Sequence, residues 1–148
     1  MLDWLLRTDD SLSYLILRLA LGIVFFPHGA QKMLGWFGGY GFSGTMQFFT
    51  QQMGIPAVFA FLAIMAEFLG SLALILGFGT RVAALGIAIV MVVAVLTTHL
   101  PHGFFMNWFG NQKGEGFEFH VLVIAIALVL GLKGAGLYSV DGLMLQGK

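Results

Sequence analysis

The sequence predicts an all-α integral membrane protein: one four-helix bundle with a short interfacial helix between its first and second spans. Three observations predict it. Hydrophobic residues make up 59% of the 148 and charged residues only 9%, against about 25% charged in an ordinary soluble domain. No charged residue occurs between Lys32 and Glu67 or between Arg81 and Lys113. Four apolar stretches, 12–34, 55–77, 81–100 and 118–137, reach the roughly 20 residues that a helix needs to cross the hydrocarbon core. They leave one domain over residues 1–148 and no extramembrane unit.

The first stretch carries Arg18 and His28, exceeds the apolar region of a signal peptide and lacks a small-residue cleavage site, so it stays as a span. Residues 44–53 follow it as a short helix suited to lie in the interface across the bundle mouth. Pro56 stands where a helix-opening proline is tolerated, and Gly77 with Gly79 closes the second span before Arg81. The third span carries Gly86, Val90, Ala94 and Thr97 at helical spacing, with His99 just beyond. The fourth carries His120, Ile124, Ala127, Gly131 and Gly134 in the same way. Small residues let helices approach closely, so all four are expected around one axis with polar groups at its outer end.

Orientation follows from the basic residues. Arg7, Arg81, Lys133 and Lys148 fall at one face, Lys32 and Lys113 at the other. The positive-inside rule then predicts a multi-pass membrane protein with both termini cytoplasmic. Segments 35–54 and 101–117 lie outside. They are rich in aromatic residues (Trp36, Phe37, Tyr40, Phe42, Phe48 and Phe49, then Phe104, Phe105, Trp108 and Phe109). These form either an interface belt or a lid over a pocket for a planar or lipidic ligand.

Composition also excludes functions. Seven Lys+Arg balance seven Asp+Glu, so there is no basic patch for nucleic acid. Cysteine is absent, which removes disulfides, iron–sulfur clusters and thiolate zinc sites. Dithiol chemistry would need thiols from a partner protein.

Charges inside a span are costly and face a bundle interior or a cavity. Arg18, Phe25 and Lys32 share one stripe of the first span with Gly22 and Gly29 beside them, because each seven-residue step drifts only about 20°. The second span offers Ala63, Glu67, Gly70, Ser71 and Leu74 on one face. Arg18 lies roughly 9 Å and Glu67 roughly 15 Å from the inner ends of their spans, a difference that a long side chain covers. An Arg18–Glu67 ion pair is therefore expected. It serves as a structural clamp, or Glu67 serves as a proton-relay or ligand-binding carboxylate.

All four histidines fall near the outer face, with His28, His99 and His120 at span ends and His102 in the loop. Lys32, Asn107, Glu115 and Glu118 share that level. A polar, titratable mouth on an apolar bundle has the general form of a small-ligand site. The ligand-binding candidates are His28, Lys32, His99, His120, Glu118 and Trp36, and the catalytic candidates are Glu67, His28 and Lys32. No metal site is expected, since neither His99 with His102 nor Glu118 with His120 has a helical ligand spacing. Haem held by His28 with His99 or His120 is a minor alternative. There is no nucleophile motif, phosphate loop or dinucleotide fingerprint.

The strings LRLALGIVFFPHGAQKMLGWFG, EFLGSLALILGFGTRVAAL and GLKGAGLYSVDG together resemble the DoxX family of small four-helix bacterial inner-membrane proteins. The resemblance covers residues 14–142. It implies a membrane component associated with oxidoreductase systems, and family-like roles for Arg18, Gly22, Gly29, Lys32, Glu67, Gly77, Thr80, Arg81, Gly136, Ser139 and Asp141. His28 fits a His-Gly-x-x-Lys variant of the pattern.

The leading reading is a redox-associated membrane subunit that binds a quinone or similar lipid-soluble ligand at the outer mouth and depends on a redox partner protein. His28 or Lys32 would hydrogen-bond a ring carbonyl. The alternatives are a non-enzymatic scaffold or stress-tolerance protein and a small proton-coupled transporter, either of them a possible homo-oligomer in the bilayer.

Overall fold

The computed structural model describes residues 2–146, and no strand occurs among them. Its α-helices are α1 (Leu2–Leu6), α2 (Leu12–Leu34), α3 (Gly41–Gln47), α4 (Ala57–Leu76), α5 (Thr80–Ala94), α6 (Glu118–Lys133) and α7 (Val140–Gln146). Lys148, one of the residues used to orient the chain, lies outside the described residues.

Each long helix starts and stops for a local reason. The Ser11 hydroxyl accepts the Ser13 N–H at 3.2 Å and caps α2. Pro27 sits inside α2, an interruption that membrane helices tolerate. α5 runs on through a wide π turn, Val95–His99, and a tight 3-10 turn, Leu100–His102. α6 stops at Lys133, short of the expected 137, because the chain bends at Gly134 and Lys133 gives its carbonyl to the Asp9 N–H at 3.1 Å. α3 and a second π turn, Phe48–Gln52, occupy the segment expected to form the interfacial helix.

Among the described residues three helices are long and apolar enough to cross a membrane: Leu12–Leu34, Ala57–Leu76 and Thr80–His102. α6, at 16 residues, is shorter than the roughly 20 needed for a full crossing. The helices form a ring in the order α2, α4, α5, α6, with α6 returning to α2. Leu21 and Phe25 of α2, Leu74 of α4, Ile87 of α5 and Leu130 of α6 fill its centre. Large apolar side chains also cover the outside, among them Ile23, Phe59, Leu85 and Leu122. A water-soluble monomer does not carry such a surface. It is a surface for lipid.

Lipid tails are as apolar as leucine, so burial alone does not hold such helices together. Polar links do that work at one end of the ring. Arg18, 1% exposed, donates from Nη1 to the carbonyls of Leu74 and Ile75 at 2.8 and 2.7 Å, and from Nε to that of Ala135 at 2.9 Å. Its Nη2 reaches the carbonyls of Leu137 and Tyr138. Arg81 donates to the carbonyls of Gly131 and Leu132 at the end of α6 and to that of Arg7. Both guanidinium groups meet carbonyls of the last turn and the negative dipole end of a helix. Asp141 does the converse, accepting the N–H groups of Gly79 and Thr80 at 2.7 and 2.9 Å and so capping α5 from 61 residues away. Gly77 makes the junction possible: its φ is +69°, and a Cβ there would stand 2.6 Å from the Ser139 Cβ.

The expected Arg18–Glu67 pair is absent. Gly22 packs on Ser71 and Ile75, and Gly29 on Glu67 and Phe68, a register that sets Arg18 level with the last turn of α4. Glu67 lies about 12 Å further along that helix. The carbonyls at the helix end satisfy the guanidinium, and Glu67 takes a different partner.

Candidate functional site

A lateral groove of about 1550 Å³ runs along α4 and α5, open toward the lipid-facing surface. Its walls are largely apolar along these two helices. Its polar groups gather at one end: His28, Lys32, Glu67, His99, Glu115 and His120. Phe48 and Phe49 from the π turn after α3 close over that end, with Met53 and Ile55.

Glu67 is 4% exposed, and its Oε2 lies 2.6 Å from Lys32 Nζ. The pair exists because Gly29 lets α2 and α4 touch backbone to backbone, one turn before Lys32. The Lys32 side chain keeps 24% of its surface and so faces the groove while holding Glu67. His28, one turn earlier on α2, is exposed to the groove and sits beside Phe25, ring centroids 6.0 Å apart.

His99 and His120 form the other wall, their ring centroids 4.1 Å apart and their planes at 43°. His99 Nδ1 lies 2.8 Å from the carbonyl of Glu115. A carbonyl only accepts, so Nδ1 carries the proton and Nε2 of the neutral ring remains an acceptor. His120 is 6% exposed, and its Nδ1 has no hydrogen-bond partner among the described residues. A buried polar atom of this kind normally has a partner, so Nδ1 is left with an unmet hydrogen bond beside the groove. The contact between the two rings leaves no room for an iron between them, since iron–histidine bonds of about 2 Å on both sides would hold the rings further apart. Haem does not fit that pair.

Two sequence-based candidates are not part of this cluster. Glu118 Oε1 accepts the Met106 N–H at 2.8 Å, so its carboxylate braces the 103–117 loop. Trp36 is 53% exposed and meets Phe37 edge-on, away from the groove. Conversely, the groove walls themselves were missed. Beside the common core of the four helices, an opening lies along α4 and α5. Its sequence signal is the run of small residues Ala63, Ala66, Gly70 and Ala73 facing Ala83, Gly86 and Ala94. The outer aromatic residues divide: Phe48 and Phe49 line the groove, whereas Tyr40, Trp108 and Phe109 are exposed.

A helical membrane protein with a lipid-facing groove that ends in a cluster of hydrogen-bonding groups is the class that fold and site define. Comparison with known proteins makes this particular. The DoxX family pattern matches residues 13–100, and the chain belongs to that family. It is 30% identical over 134 residues to "Putative oxidoreductase CatD" of Bacillus subtilis strain 168, covering 90% of this chain and 88% of that protein. It is also 30% identical over 135 residues to "Inner membrane protein YqjF" of Escherichia coli strain K12, covering 91% and 94% respectively. No solved structure matches it.

Proposed function

We propose that this chain is the membrane part of an oxidoreductase system and binds a quinone, or a similar lipid-soluble ring compound, at the polar end of the groove. The observation that carries this reading is the orphan Nδ1 of His120 at the end of an apolar groove that also exposes Lys32 and His28. A flat ring with a carbonyl on each edge needs donors on opposite sides and apolar faces between. Lys32 supplies a donor from α2 and His120 supplies a ring N–H from the α6 side, with Phe25 and Phe119 nearby. Glu67 holds the Lys32 ammonium charged and fixed in direction. Bound there, a quinone supplies two-electron, two-proton redox chemistry, and the electrons come from a partner protein because the chain has no cysteine of its own. The name of the Bacillus subtilis relative agrees with the oxidoreductase association.

In the same reading the protein spans a bacterial inner membrane several times, with its termini in the cytoplasm and the groove's polar end near the outer face. Arg7, Arg81 and Lys133 at the opposite end support that orientation, and the name of the Escherichia coli relative agrees with an inner-membrane location.

The test is photolabelling of the purified protein in lipid nanodiscs with an azidoquinone, followed by peptide mapping. Adducts on peptides containing His28–Lys32 or His99–His120, lost on adding excess unlabelled quinone, support the reading. Label spread evenly over lipid-facing peptides and indifferent to competitor contradicts it. One observation favours a scaffold instead: Arg18, Gly77, Arg81, Ser139 and Asp141 all serve the hydrogen-bonded junction at the other end. A scaffold predicts that His99 and His120 are replaceable without loss of phenotype.

A further inference from the structure

The groove runs far beyond the space a ring compound fills. It follows α5 from Gly79 to His99, about 30 Å of helix at 1.5 Å per residue, which is the thickness of the hydrocarbon core. Its polar groups are confined to one end. Along the rest the backbones approach closely, Gly86 facing the Ala66 Cβ and Gly70 the Ala83 carbonyl, and the small side chains beside that seam leave a trough flanked by larger ones such as Leu69 and Ile89.

We propose that this trough is a tail channel: the ligand is a single-tailed amphiphile that enters sideways from the bilayer, with a neutral head at the polar end and an extended isoprenoid or alkyl tail lying between α4 and α5. This rests on the quinone-type reading above and adds the tail as a determinant of recognition. Charge identifies the occupant. The lining places one lysine against two glutamates, Glu67 and Glu115, beside three histidines, and Lys32 is already bound to Glu67. No unpaired cation awaits a phosphate, so a phospholipid head is disfavoured and a carbonyl or hydroxyl head is matched. The buried, unpartnered Nδ1 of His120 is the second, independent mark of a ligand at the head end.

A tail passing from lipid to protein gains no hydrophobic free energy, so its contribution comes from close contact with the trough and falls when the trough is filled. The experiment is competition against azidoquinone labelling in nanodiscs, with doses expressed as mole fraction in the bilayer. Two competitors share one benzoquinone head: one carries a single isoprene unit, the other a long isoprenoid tail. In the native protein the long-tailed compound competes roughly tenfold better. Ala73→Trp, which fills the trough two turns from Glu67, abolishes that advantage and leaves the short-tailed compound unchanged. Ala83→Trp makes the same test from α5 should the first variant fail to fold.

Equal competition by both compounds in the native protein, with labelling intact, overturns the tail channel and leaves head binding standing. An advantage that survives both tryptophan variants also overturns it. If neither compound competes, the quinone-type reading and the tail channel are overturned together.

Discussion

Lys32 Nζ and Glu67 Oε2 stand 2.6 Å apart and join α2 to α4 where the lateral groove meets its polar end. The carboxylate is buried and the ammonium partly open, so one partner is committed to structure while the other still faces a ligand. Glu67 is thereby better suited to hold Lys32 in place than to exchange protons with a substrate.

That asymmetry predicts unequal single variants. Lys32→Met leaves a buried carboxylate without its cation and costs about 2–3 kcal/mol, whereas Lys32→Met with Glu67→Leu recovers most of the loss. Thermal unfolding in a mild detergent reads both. A double variant no more stable than Lys32→Met contradicts the pair.

Gly29 sets the distance on which that pair depends. A Cβ there would lie 2.5 Å from the Phe68 Cα and 2.7 Å from the Glu67 carbonyl oxygen, and backbone does not yield as a side chain does. Gly29→Ala is expected to cost about 2 kcal/mol or more and to weaken ligand labelling as well. Gly131, with nothing within 4 Å of such an atom, is the control: Gly131→Ala keeps or slightly raises the melting temperature.

At the far end, Arg18→Lys keeps the charge but cannot serve five carbonyls from two segments. It is expected to lose about 3–4 kcal/mol and to open the 74–78 and 134–139 segments to hydrogen exchange together. Exchange confined to one of these segments would show that the arginine does not couple them.

Asp141→Asn retains the size of the side chain but turns an N–H₂ group toward one of the two backbone donors it now caps. A loss of about 1–2 kcal/mol is expected, with protease sensitivity appearing at 77–80. A variant as protease-resistant as the native protein argues against Asp141 as the cap of α5.

His120 is predicted to trade stability for binding. Removing a buried orphan nitrogen relieves its desolvation, so His120→Phe melts at or above the native temperature, by the equivalent of about 1 kcal/mol, yet loses quinone labelling. A variant that loses stability and keeps its labelling reverses both expectations.

The helical spans were legible because membrane length and apolarity dictate them, and Arg18, Glu67 and the outer histidines stood out as costly groups in an apolar chain. The pairing was not legible. Counting residues from span ends treats helices as starting level, whereas the register is set by Gly22 and Gly29 against α4, and that moves Arg18 down to the helix end. A guanidinium also finds carbonyls at a helix terminus as readily as a carboxylate, and sequence does not register backbone acceptors. Asp141 was singled out only through its family-like position, since a cap that reaches across 61 residues has no local spacing. The shortness of α6 depends on the chain folding back under Arg7 and Thr8, again a tertiary event. The groove had a signal in the facing small residues, but small residues equally mark tight packing, and here they do both along one seam.

The account turns on whether the polar end of the groove holds a lipid-soluble ring compound in the native membrane. The most direct measurement is to purify the protein gently from those membranes, extract what accompanies it, and quantify quinones against protein by mass spectrometry. About one quinone per chain, falling several-fold in His120→Phe and Lys32→Met preparations of equal folded content, is the predicted result. A quinone content no higher than that of the bulk lipid, unchanged in either variant, contradicts the account.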